Sequence, residues 1–477
     1  MTSRLRDQLL RLAVRVALLC AIVSAISNVA LPYSTRALAQ PSNAKAVLAP
    51  PQLLRYPYLT DVVGSSATVN LATNSASPVP VIQWGVAGHC LTSAAATTGV
   101  PVKVRGNSEW QFKAHIGPLA GNTAYCYRAS QGGVDLLGAD ASPIFTAALP
   151  AGNPTSYSFA VLGDWGAGTP DEANVLSQID NSPASFVVTT GDNVYNNGTQ
   201  SDYGDLVKGR VFGSGYWKQP GTRHPAFLSQ GHHGFGQPLP YLQNWPQDIA
   251  VQTSGGTYRA DSFCGVGKLP QCPSTMTYTD AWYAFDWGLS RFYVLDAAWD
   301  DNTGGYLGDF QAHWNGPVVG CPACGTELQW LKQDLASHAR TRHKFAFFHY
   351  PMRADGGHSS DTFLQGPKGL EGLLASNGVG IVFNGHSHIY ERNLPQIPGS
   401  PMVNYIAGAG GRTLSSVNRC SPFDAYALGS ASSCHAPMPT SAQDVFHFIL
   451  VTVSGNQVTV TPTNEKGITF DVQTYLN

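Results

Sequence analysis

Four short apolar runs in this chain each break off into a cluster of ligand-type side chains, and few folds can accommodate that pattern four times. Tyr157 to Leu162 leads into Gly-Asp-Trp-Gly at 163–166, and Ser185 to Thr190 leads into Gly-Asp-Asn-Val-Tyr at 191–195. Lys344 to Phe348 leads into His-Tyr-Pro-Met at 349–352, and Ile381 to Phe383 leads into Asn-Gly-His-Ser-His at 384–388. Apolar runs flanked by turn residues read as strands buried on both faces. In open α/β sheets ligands bind beyond the carboxyl ends of the strands, so such loops converge although they are far apart in sequence. Taken singly each signal is weak, because Gly-Asp is a common turn and a buried His is usually just hydrogen-bonded. Together they gather carboxylates, a phenol and imidazoles, a donor set that suits borderline transition metals rather than calcium. In His386-Ser387-His388 the alternate residues leaving a strand can serve two different ions, with a single carboxylate bridging them.

The rest of the chain supplies the frame for those strands. At 477 residues it exceeds what one hydrophobic core usually organises, so two domains are expected. Residues 1–39 carry Arg4, Arg6, Arg11 and Arg15, an apolar run from Val16 to Leu31, and small residues at Ala37 and Ala39. That is the pattern of a secretory signal peptide, with an uncleaved anchor as the competing reading of the same run. Residues 40–53 are Pro- and Ala-rich and read as a linker. Between 54 and 149, segments such as Ala67 to Ala72, Val81 to Gly85, Gln111 to Ile116 and Ala124 to Ala129 alternate apolar and polar residues, as a small β-sandwich requires. A Pro/Gly-rich boundary follows, and residues 155–477 alternate strands with helices, implying a layered α/β domain. Thr169, Pro170 and Glu172 form a cap, first-turn proline and capping box ahead of Val175, Leu176 and Ile179; a second helix starts near Thr326, with Leu328, Leu331 and Leu335 on one face. From Val445 to Tyr475 the chain returns to strand character around Gly455-Asn456.

Charge and cysteines narrow the function classes. A formal net charge of -2 offers no basic field for a nucleic-acid polymer or an anionic membrane surface, so any phosphate recognition is local. The chain has 9 cysteines, and losing Cys20 with the leader leaves an even number in a compartment that permits disulfides. Proximity pairs Cys90 with Cys126, Cys264 with Cys272, Cys321 with Cys324 and Cys420 with Cys434, though spacing alone does not settle connectivity. No Gly-x-Ser-x-Gly elbow or Walker motif occurs, which leaves acyl transfer and P-loop chemistry without support.

On these motifs the chain resembles the purple acid phosphatases, a family among the calcineurin-like metallophosphoesterases with motifs GDxG, GDxxY, GNH-E/D, a strand-borne His, and GHxH. Four of the five match, and Tyr195 in GDxxY is the specific element, since it marks the branch that binds ferric iron. The resemblance implies an α/β fold: a fibronectin III-like β-sandwich followed by a layered αββα metallophosphoesterase domain. It implies two metal ions, Fe3+ held by Asp164, Tyr195 and His388, and a divalent Fe2+, Zn2+ or Mn2+ held by His349 and His386, with Asp192 bridging. Phenolate and carboxylate favour the harder ion and imidazoles the softer one.

The fifth motif departs from the family, because Gly231-His232-His233-Gly234 stands where Gly-Asn-His-Glu is expected. His232 replaces an amide that ligates the divalent ion, and His233 takes the place of a His that contacts the phosphate group. A neutral imidazole preserves site charge but is larger and binds through nitrogen. The two His residues can also exchange roles, or the loop can be merely divergent. His358, nine residues after His349, lies in a polar loop where the family places a substrate-facing His and could protonate the leaving group, with a solvent-exposed loop His as the other reading. Tyr390-Glu391-Arg392 reads as loop support. The expected activity is hydrolysis of a small phosphomonoester by water activated between two metals, in a secreted protein without stable membrane association. Phosphodiester or nucleotide hydrolysis at the same centre is the enzymatic alternative, and a non-catalytic secreted binding protein is the other class.

Overall fold

The computed structural model describes residues 50–234, 238–247, 252–253, 256–259, 275–278, 282–296, 326–356 and 364–476. The expected leader, the Cys264–Cys272 and Cys321–Cys324 pairs, and His358 all lie outside these residues. Cys90–Cys126 and Cys420–Cys434 are formed as disulfides.

Each of the four apolar runs is a strand, and the four divide between two sheets. Tyr157–Leu162, Val187–Thr189 and Ala226–Leu228 pair in parallel, and His447–Ser454 pairs antiparallel with Tyr157–Leu162. In the other sheet Ser290–Val294, His343–Phe347, Ile381–Asn384 and Val403–Ala407 are successive parallel neighbours. The Gly455-Asn456 turn joins His447–Ser454 to Gln457–Asn464 in a hairpin that widens the first sheet.

The two-residue period of a strand separates the layers. Phe159 and Val161 point into the space between the sheets, while Ala160 and Leu162 face Val175, Leu176 and Ile179 of the Pro170–Asp180 helix. On the other sheet Phe345 and Phe347 face inward, and Ala346 and Phe348 pack with Leu331 and Leu335 of the Thr326–Ser337 helix. Phe159 meets Phe292 at 5.1 Å and Phe345 at 5.2 Å between ring centres, so aromatic edges and faces join the sheets. Phe159 is fully buried, and truncation to Ala would cost about 3–5 kcal/mol. The Thr169 hydroxyl accepts from the Glu172 N–H at 3.2 Å and caps the helix. Glu172 itself accepts from the Ala167 and Gly168 N–H groups, which ties the loop carrying Asp164 to the helix.

The N-terminal strands are shared between two sheets. Val81–Val86, Ser93–Ala96, Ala124–Gln131, Val134–Asp135 and Ile144–Thr146 form one of their own. Leu53–Val63, Ser66–Thr73, Thr98–Val104 and Asn107–Ile116 extend the Tyr157 sheet through a single parallel pair, Thr60 with Ala226. Ala147, Ala148 and Leu149 before the boundary stretch and Tyr157 after it belong to one hydrophobic core, while the Pro/Gly-rich residues between them are mostly exposed. Tyr390–Asn393 is a strand paired with Val403–Ala407, and from it Glu391 accepts from the Asp355 N–H at 2.9 Å in the loop after His349, while the Tyr390 hydroxyl and the Arg392 guanidinium both bond the Asp471 carboxylate.

Candidate metal centre

The carboxyl ends of the parallel strands meet at one place. Asp164 follows Tyr157–Leu162, Asp192 and Tyr195 follow Val187–Thr189, and His232 follows Ala226–Leu228. His349 follows His343–Phe347, while His386 and His388 follow Ile381–Asn384. Asp164, Asp192 and His386 have φ of 56°, 47° and 67°, a left-handed backbone that non-glycine residues adopt at a cost. Each of these residues turns its strand sharply, so its side chain enters the cluster rather than continuing the sheet. Gly231 has no alternative, because a Cβ there would collide with the Asp192 N–H and Oδ1.

Two sets of donors face one another. In the first, the Tyr195 hydroxyl lies 3.2 Å from Asp164 Oδ1, 3.1 Å from Asp192 Oδ2 and 3.5 Å from His388 Nε2. In the second, His232 Nδ1 lies 2.9 Å from His349 Nε2 and 3.2 Å from Asp192 Oδ2. His349 Nε2 is 3.4 Å from Asp192 Oδ1, and His232, His349 and His386 bring one ring nitrogen each within 4.8 Å of the others. Asp192 therefore touches both sets. His233 stands beside them: its N–H donates to Asp192 Oδ1 at 2.9 Å, its Nδ1 donates to Asn196 O at 2.6 Å, and its Nε2 is 3.9 Å from Asp192 Oδ2.

Backbone carbonyls decide which ring nitrogens are available. A carbonyl oxygen only accepts, so His349 Nδ1, 2.9 Å from Thr190 O, carries the hydrogen and leaves Nε2 as the lone pair. His388 Nδ1 does the same with Thr413 O at 2.7 Å. Such a bond from the far nitrogen is how metal-ligating imidazoles are usually oriented. The donor chemistry thus fits metal ions: hard oxygens in one set, imidazole nitrogens in the other, a carboxylate between.

The electrostatics point the same way. Burial pushes the Tyr195 phenol well above its ordinary pKa, and the charges of Asp192 and Asp164 push it further. Burial alone would raise Asp192, but His349 and His232 beside it hold its carboxyl well below the usual range. Burial works against a charged His349, and Asp192 overcomes it to lift that imidazole to about 9. Ionising Tyr195 beside the two carboxylates would add buried negative charge, which a bound cation would offset. His233 is pushed down, chiefly by burial, although Asp192 opposes this.

All seven expected donors, Asp164, Asp192, Tyr195, His232, His349, His386 and His388, meet here with His233. Arg412 was missed by motif reading: its guanidinium lies 4.6 Å from the Tyr195 ring centre, and its backbone N–H donates to Asp164 O at 3.1 Å. A signal existed, because Gly410-Gly411-Arg412 leaves Val403–Ala407, a further parallel strand of the same sheet.

Comparison with known proteins decides the class. Residues 157–390, which contain every one of those donors, match the calcineurin-like phosphoesterase family model. Purple acid phosphatase 17 of Arabidopsis thaliana is 24% identical over 278 residues, covering 55% of this chain and 71% of that protein. The chain is a purple acid phosphatase-like metallophosphoesterase. Purple acid phosphatase 23 of the same plant is 26% identical, and the match spans 58% of this chain but 56% of that relative. The purple acid phosphatase PPD1 from yellow lupin seeds shares the fold with a TM-score of 0.60 at 16% identity, over 90% of this chain and 74% of that one. PhoD shares it with a TM-score of 0.54 at 12% identity, over 88% and 89%. The family implies a dinuclear metal centre, and the donors described above are of the kind and arrangement to hold one.

Proposed function

We propose that this protein is a secreted, dinuclear metal-dependent phosphatase acting on small phosphomonoesters. One observation carries the reading: the Asp192 carboxylate lies between an oxygen-rich set, Asp164 and Tyr195 with His388, and an imidazole set, His349 and His232 with His386. In this reading Asp164, Tyr195 and His388 hold Fe3+, and His232, His349 and His386 hold Fe2+, Zn2+ or Mn2+. When bound, the ions would activate water and offset charge on the phosphoryl oxygens.

The chain's own residues do the remainder. Thr190 O and Thr413 O fix the rings of His349 and His388, so each presents Nε2 without reorganising. His233 has committed its Nδ1 hydrogen to Asn196 O, which leaves Nε2 as the ring atom to face a phosphoryl oxygen, donating to it only when the ring takes up a second proton. We also assign departure of the alcohol to His358, on its place after the His349 motif. The larger organisation follows the same reading: residues 1–39 a cleaved signal, 40–53 a linker, 54–149 a fibronectin III-like sandwich, and 155–477 the catalytic layers.

Metal analysis and a visible spectrum of the mature protein test the centre, together with turnover of a chromogenic monoester. Two metals per chain, a tyrosinate-to-iron band and chelator-sensitive turnover are expected. A metal-replete, oxidised protein that hydrolyses no phosphoester would end this reading.

A further inference from the structure

Beside the metal cluster stands a cation that the ligand set does not use. The guanidinium groups of Arg55, Arg291, Arg353 and Arg392 are each paired with a carboxylate, those of Glu109, Asp334, Glu371 and Asp471 respectively. Among the described residues the half-buried Arg412 guanidinium has no such partner, and its recorded contact is the face of Tyr195, at 4.6 Å. The segment that carries it is fixed at both ends: the Gly410 N–H donates to Gly163 O at 2.9 Å, and the Ser415 N–H donates to His388 O at 3.0 Å. Arg412 is thus pre-positioned against a candidate ligand rather than waving in solvent.

Charge balance says what it waits for. A trivalent and a divalent ion outweigh the negative donors Asp164, Asp192 and ionised Tyr195, and Arg412 adds to that surplus. Packing another positive charge there is costly unless an anion sits among the cations. A planar guanidinium whose N–H groups meet no carboxylate among the described residues matches phosphate oxygens. A monoester above its second ionisation, roughly pH 6, carries close to two charges, whereas a diester carries one.

We propose that Arg412 is a specificity-determining residue that reads the second negative charge of a phosphomonoester and so favours monoesters over diesters. This rests on the phosphoester-hydrolase reading above. The experiment compares wild type, Arg412→Gln and Arg412→Lys on p-nitrophenyl phosphate and bis(p-nitrophenyl) phosphate above pH 6, with the metal content and visible band of each protein recorded. Arg412→Gln should lower monoester kcat/KM by roughly 10–100-fold, mainly through KM, and diester kcat/KM by several-fold less. Arg412→Lys should recover part of the loss, and both variants should keep two metals. In parallel, inorganic phosphate titrated against the visible band should bind Arg412→Gln more weakly by a similar factor. Equal losses on both esters, or unchanged phosphate binding, would overturn the assignment while leaving hydrolysis intact. A wild type that hydrolyses neither ester removes the reading beneath it.

Discussion

The two halves of the metal cluster are built from different materials. The Asp164–Tyr195–His388 half is anchored in deeply buried oxygens: Asp164 is fully inaccessible, and Tyr195 is 1% exposed. The His232–His349–His386 half combines the buried His349 and His386 with His232, whose side chain is 30% exposed on a Gly-flanked loop, while Asp192 beside it is fully buried. A donor locked by burial and backbone strain keeps its geometry without an ion, whereas a part-exposed loop imidazole is held by fewer neighbours and gives up its position more cheaply. The comparison teaches that the shared centre should hold its ions unequally, tightly in the first half and exchangeably in the second.

Asp192→Asn is the largest test, because it removes the carboxylate that lies against Tyr195 in one half and against both His232 and His349 in the other. Monoester turnover should fall by more than the roughly 10–100-fold typical of an outer-shell loss, and unchanged turnover would sink the bridging role. Tyr195→Phe should abolish the visible band while leaving the second ion bound, so a surviving band would move the ferric site elsewhere. Among the imidazoles, His349→Ala should take metal content from two ions toward one per chain, and His232→Ala should weaken the same ion by a smaller factor. A titration with chelator in which both ions leave together would break the distinction between halves.

The smallest effect concerns the scaffold under the first half. His447 is buried, its Nδ1 donates to Val445 O, and its N–H bonds Ala409 O, next to the Gly410 that braces Gly163. Burial depresses its imidazole from 6.5 to about 4. The unfolded chain therefore takes up a proton first as pH falls, so this contribution is fully present above 6.5 and is lost on descending to about 4. The loss is about 3 kcal/mol, from about 1.4 kcal/mol per pKa unit. Urea midpoints at pH 7 and pH 4.5 should differ less in His447→Gln than in wild type.

Much of the cluster could be read from sequence because Asp164, Asp192, His349 and His386 stand within three residues of an apolar run, and strand period with turn chemistry is written locally. The capped Pro170–Asp180 helix was legible for the same reason. The three-residue Ala226–Leu228 strand was not, since its run is too short to show a period. Nor were the carbonyls of Thr190 and Thr413, because a backbone acceptor leaves no trace in residue type. Arg412 escaped because its meaning depends on Tyr195, more than two hundred positions away in sequence.

The left-handed turns at Asp164, Asp192 and His386 carry one further implication. A chain pays for those conformations whether or not an ion is present, and asparagine or glycine would relax them. Substitutions that make the metal-free protein more robust therefore fall on the same positions that make it useless, so selection for durability and selection for catalysis pull against each other there.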